Sequence, residues 1–104
     1  MYLACAVVRL VIPESYSLKD RRRVIQSVTA TIGRANGAAA VDLSPDRTLN
    51  LGVIGLTAIS GQLHHAVEIR EEALRMLDRD GRFEVLEITT EEMKLEAGHH
   101  YAGV

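Results

Sequence analysis

The chain has 104 residues, 47% hydrophobic and 25% charged, values that suit one globular domain and exclude a disordered or collagen-like chain. Aromatics make up 4% and tryptophan is absent, so the core must be aliphatic and platforms for stacking bases are scarce. A net charge of −2 excludes a general nucleic-acid binder but leaves room for a local patch, because residues 1–34 hold six Lys/Arg against Glu14 and Asp20 while residues 60–104 hold five basic against ten acidic residues.

From Tyr2 to Ile12 every even position is apolar, while Arg9 and Cys5 fall among the odd ones. That is a strand of period two with its even face inward, ended by Pro13, which has no amide to donate to a ladder. The apolar run has no basic n-region, and Arg9 stops it far short of the ~20 residues of a membrane span. With no export signal and one cysteine, the expected setting is the reducing cytoplasm, with Cys5 a small buried apolar residue and no membrane partner. The odd positions Leu3, Val7 and Val11 are more apolar than a solvated face requires, so a homodimer or higher oligomer through the open sheet face or an edge strand is expected.

Ser17 followed by Asp20 matches a capping pattern and predicts a helix from Leu18. On a wheel of 100° per residue Leu18, Val24, Ile25, Val28, Ile32 and Ala35 share one side, with Lys19, Arg23, Gln26 and Arg34 largely opposite. Gly37 supplies the left-handed conformation that ends a helix. Ala38 to Leu43 reads as a short strand and Ser44-Pro45-Asp46-Arg47 as a tight turn. Thr48 to Ile59 reads as a returning strand, apolar on both faces and therefore central. Within it Gly52 and Gly55 mark a bulge or a close backbone approach.

Ser60 is the expected cap of a second helix whose stripe is Leu63, Ala66, Val67, Ala73, Leu74 and Leu77, with Glu71 and Arg75 paired on the wet side. Asp80-Gly81 ends it. Phe83 to Thr89 reads as the fourth strand, although Phe83 and Val85 alternate onto one face and Leu86 and Ile88 onto the other. No clear period follows Glu91, so one domain over residues 1–95 and a loose tail over 96–104 are expected. The order βαββαβ, with right-handed crossovers, predicts an α+β ferredoxin-like sandwich: a four-stranded antiparallel sheet with two helices on one face.

The stretch Arg9-Leu10-Val11-Ile12-Pro13 and then Ser17-Leu18-Lys19-Asp20-Arg21-Arg22-Arg23-Val24 resembles the first strand and the Ser-Leu-Lys-Glu-Lys-Arg signature of the YlxP-like family, small bacterial domains of unknown function. The run Gly52 to Ser60, the helix after it and Val85-Leu86-Glu87-Ile88 resemble the same family, over about nine tenths of the chain. The resemblance implies a ferredoxin-like fold and a cytoplasmic bacterial protein, and no known activity. Genes of that family sit beside those for translation initiation and ribosome maturation factors, which implies by association a place near RNA or the ribosome. The chain departs from the family in the hairpin, where Asp42 to Arg47 replaces an acidic stretch containing Gln and Trp.

Lys19, Arg21, Arg22 and Arg23 crowd the start of the first helix, where the helix dipole repels cations by ~0.3–1 kcal/mol each. An anion or RNA backbone held there with Ser17 at the helix start would offset that cost. Arg21 falls in the apolar stripe, so the competing reading is a stem laid on the core edge, with its head in water or on an acid such as Asp42. His64 and Glu68 lie one turn apart, but two ligands do not make a metal site. No nucleophile–base signature and no phosphate loop is present. The expectation is a non-catalytic binding module associated with RNA or the translation and ribosome-maturation machinery, needing no cofactor. Two alternatives remain: an acylphosphatase-like hydrolase of small anions, whose Gly-x-Val-Gln-Gly-Val-x-Phe-Arg loop is missing here, and a purely structural oligomerisation domain.

Overall fold

β1, Tyr2–Val11, lies between two antiparallel partners, β3 (Leu51–Ser60) on one side and β4 (Glu84–Lys94) on the other. β2 (Ala38–Asp42) pairs antiparallel with β3 and completes a four-stranded sheet of order β2-β3-β1-β4. The chain also forms α1 (Leu18–Gly33) and α2 (Leu63–Arg79) in the computed structural model, which describes residues 1–13, 15–35 and 37–97. Ala4, Ala6, Val8, Leu10 and Ile12 are all buried, as the alternation of β1 requires. All but Ala4 meet Ile25, Val28 and Ile32 of α1 and Ala73, Leu74 and Leu77 of α2 in a mainly aliphatic core on one face of the sheet, while Ala4 packs with Ala58 and Ala66 in a smaller cluster. The fold is the expected ferredoxin-like sandwich.

Local chemistry fixes the joints. Ser17 Oγ accepts the Asp20 amide at 3.1 Å, and Asp20 Oδ2 accepts the Tyr16 amide at 3.2 Å, so the start of α1 is capped from both directions. Gly37 has φ +84, where a side chain would be strained, and its carbonyl accepts the Ile59 amide at 2.8 Å. Gly52 is the close approach expected of it: a Cβ there would stand 2.8 Å from Ile25 Cδ1, so the missing side chain lets α1 settle on the sheet.

Several expected boundaries move. β3 begins at Leu51 rather than Thr48, because the Thr48 carbonyl is turned toward Arg21 instead of a ladder partner. Ser60 ends β3 and does not cap α2; Gln62 holds the cap position without a side-chain bond, while Ser60 Oγ accepts the Gln62 amide at 3.1 Å and bonds His65 Nδ1 at 3.0 Å. Arg75 pairs with Glu72 at 2.7 Å rather than with Glu71, whose carboxylate is drawn to Arg70. β4 runs to Lys94, since β1 offers it partners as far as Tyr2. Its broken alternation has a simple cause: a register shift opposite Arg9 and Leu10 leaves Leu86 unpaired, so Val85 and Ile88 both fall on the helix face. The part of the expected tail beyond residue 97, with His99 and His100, lies outside the described residues.

Candidate nucleic-acid interface

α1 has one acid, Asp20, and that carboxylate is engaged at the cap. Its solvent side carries Lys19, Arg22 and Arg23, all exposed, with Arg34 exposed at the far end. The three lie within two turns on one helix, so they present a continuous cationic strip. α2 carries the opposite balance, with Glu68, Glu72 and Asp78 exposed and Glu71 half-buried beside Arg70, while Arg75 and Arg79 both pair with Glu72.

Arg21 separates from its neighbours. It is 1% exposed, and Nη1 donates to the backbone carbonyls of both Pro45 and Thr48 in the loop between β2 and β3. Nε is buried without a partner among the described residues. Neither solvent nor Asp42 takes this guanidinium; two carbonyls do, and the arginine ties the loop to the base of α1. Of the sequence candidates, Lys19, Arg22 and Arg23 are therefore brought together at the surface, Ser17 caps the helix beneath them, and Arg21 points the other way.

Two neighbours of the strip escaped the sequence reading. Tyr16 is 79% exposed and directly precedes the cap, its amide held by Asp20. Its adjacency to Ser17 was the available signal. Arg82, in the turn after α2, donates from Nη1 to Ser27 Oγ of α1 at 3.1 Å, while Nη2 pairs with Asp80 Oδ2 at 2.7 Å. The hydrogen bond and charge of Arg82 hold the Asp80 carboxyl below its usual range. A cleft of about 410 Å³ lies between the start of α1 and this turn, with Arg23 and Arg82 among its walls and Asp20 and Ser15 beside them.

A second buried arginine sits in α2. Arg70 occupies a stripe position between Ala66 and Ala73, visible on a helical wheel, and is 4% exposed. Nη2 donates to Glu71 Oε1 at 3.1 Å and Glu92 Oε1 at 3.4 Å, bracing α2 against β4. Burial works to lower its pKa, and the two carboxylates outweigh that effect and raise it. Between the helices a groove of about 320 Å³ has an apolar floor of Ile32, Ile69 and Met76 under a rim of His65, Glu68 and Arg79. His64 and Glu68 are exposed, and among the described residues no group of three or more His, Cys, Asp or Glu could hold a metal ion. Among them, too, no helix is long and apolar enough to cross a membrane.

A family described as a protein of unknown function, DUF503, matches residues 3–90. The chain belongs to this family. No curated protein matches it. Among solved structures it is similar to a de novo designed protein, Foldit4, with a TM-score of 0.55 and 13% identity over 92% of this chain and 100% of that one. At that identity the likeness speaks to the fold alone.

Proposed function

We propose that this DUF503 domain is a non-catalytic module of the cytoplasm that holds the backbone of single-stranded RNA against the first turns of α1, in the setting of translation or ribosome maturation that its resemblance to the YlxP-like family implies. The observation that carries the reading is the exposed strip Lys19, Arg22 and Arg23 with Tyr16, 79% exposed, at its head. Three cations without an exposed acid on their own helix supply phosphate contacts. A free aromatic ring at the end of such a strip supplies a stacking surface for a base, worth ~1–3 kcal/mol. Sequence preference is weak in this reading, because the strip offers charge and a π-face rather than a set of donors and acceptors matched to one base edge.

Hydrolysis of acyl phosphates is the weaker reading. The arginine such a reaction would need near the first helix is Arg21, whose Nη1 is tied to two carbonyls. Fluorescence anisotropy with a single-stranded RNA at low salt tests the proposal. Replacing Lys19, Arg22 and Arg23 together by Ala should abolish measurable binding, and Tyr16→Ala should weaken it about 5-fold or more, with the melting temperature unchanged in both. Equal affinity in the parent and the triple variant would overturn it, as would turnover of an acyl phosphate that is lost on mutating Arg23.

A further inference from the structure

Ser60 and His65 bring a nucleophile and a base together. Ser60 is the last residue of β3, two after the buried Ala58, so its side chain stands on the helix face of the sheet beside the start of α2. Its Oγ accepts the Gln62 amide at 3.1 Å and lies 3.0 Å from His65 Nδ1. A hydroxyl that accepts one amide still has its proton to give, and an imidazole protonated at Nε2 receives it at Nδ1. Closing the turn into α2 accounts for the amide bond but not for the imidazole. α2 has no side-chain bond at its cap among the described residues, so the amides of Leu63 and His64, ahead of the first helical bond from Ala66 to Gln62, have no side-chain acceptor. The groove between the helices starts at the same histidine: Ile69 lies one turn beyond His65 and Met76 two turns further, facing Ile32 of α1 across about 320 Å³.

We infer that Ser60 is an acylation site, which takes the acyl group of a neutral activated ester whose apolar chain lies in the groove between α1 and α2. Ser60 Oγ bonds to the carbonyl carbon as its proton passes to His65 Nδ1. The carbonyl π electrons move onto oxygen, and the amides at the start of α2 supply donors for that charge. Those electrons re-form the carbonyl as the bond to the leaving oxygen breaks, and the leaving group departs as an alcohol with the proton from His65. An acyl–serine ester and an alcohol result, with nothing oxidised or reduced. The Gln62 amide favours the step as well, since a donor on Oγ stabilises the negative charge left there as the proton departs. Glu68, on the groove rim one turn from His65, opposes an anionic donor such as an acyl phosphate, which is why the ester is neutral. The site is separate from the cationic strip. β3 is ten residues long, and its other end lies near the start of α1, where the Ile12 amide bonds the Asn50 carbonyl at 2.8 Å. Ser60 is thus ~30 Å from that end, and the inference does not rest on RNA binding.

p-Nitrophenyl butyrate, given to the full chain, tests it through the nitrophenolate released and the acylated residue located by tandem mass spectrometry. The parent should release about one nitrophenolate per chain in a first phase and carry the butyryl group on Ser60. Ser60→Ala should lose that label. His65→Ala, which leaves the bond between Ser60 and the Gln62 amide in place, should form it about 100-fold more slowly or worse while melting as the parent does. Should Ser60→Ala fail to fold, His65→Ala still carries the comparison. Butyrate should exceed acetate by about 10-fold relative to their uncatalysed rates, because two further methylenes enter the groove. No label on Ser60, a label that forms as fast without His65, or one confined to Met1, His64 or Lys94 overturns the inference. Equal relative rates for acetate and butyrate overturn the seat of the acyl chain in the groove.

Discussion

Arg21 is the residue whose replacement best separates architecture from ligand binding. Its guanidinium is 1% exposed and Nη1 serves the carbonyls of Pro45 and Thr48. Arg21→Met keeps the stem and removes both bonds, leaving two part-buried carbonyls without this donor, at about 1–3 kcal/mol each where water cannot replace it. Against that loss stands the relief of a desolvated cation and of its partnerless Nε, worth part of the same sum. The net is a destabilisation of about 2 kcal/mol, which for a domain of this size lowers the melting temperature by about 8–16 °C. Arg21→Ala should cost more, about 3–5 kcal/mol, because the stem is lost as well. Circular dichroism melts of these variants beside Arg22→Ala give the measurement, and Arg22→Ala should stay within about 0.5 kcal/mol of the parent. Arg21→Met melting with the parent, or losing RNA affinity while its stability is intact, would refute the assignment of Arg21 to the loop.

Other expectations follow from single contacts. Gly52→Ala should lower stability by about 1 kcal/mol, since its Cβ would press on Ile25 Cδ1 at 2.8 Å. Gly33→Ala, with nothing among the described residues within 4 Å of the new Cβ, should raise stability by about 0.5–1 kcal/mol; chemical denaturation reads both. Asp80→Asn should cost about 0.5–1 kcal/mol at neutral pH by removing the ion pair with the half-exposed Arg82. Because Arg82 lowers the folded carboxyl's pKa, that contribution is full above the ordinary carboxylate range of about pH 4. It fades as the pH falls through the depressed value, so the melting difference between Asp80→Asn and the parent should close in acid.

Much of the fold was legible in the chain because its signals are local. Even-position burial in β1, the α1 stripe and the Ser17–Asp20 cap each need only a few consecutive residues to declare themselves. β4 was legible only in part, because the unpaired Leu86 resets its period and its second half, Thr89 to Lys94, is mostly polar, with Met93 its one apolar residue. There Thr89 and Thr90 favour a strand while Glu91, Glu92 and Lys94 do not, and pairing with β1 carries the strand on to Lys94. The candidate site divides in the same way. Exposure of Lys19, Arg22 and Arg23 followed from the wheel, and so did the inward aim of Arg21. Its partners did not, since Pro45 and Thr48 lie 24 and 27 residues away in a loop whose path no pattern specifies. Arg70 was available on the α2 wheel, but its reach to Glu92 depends on how far β4 extends.

The central claim is that three exposed cations of α1 hold an RNA backbone, and the salt dependence of binding tests it most directly. Three phosphate contacts to a single strand give a log–log slope of about −2.1, so affinity should fall about 20-fold between about 50 and 200 mM salt. Lys19→Ala, Arg22→Ala or Arg23→Ala should each reduce that slope by about 0.7. A slope near zero in the parent, or one that stays the same when all three are removed, would contradict the account.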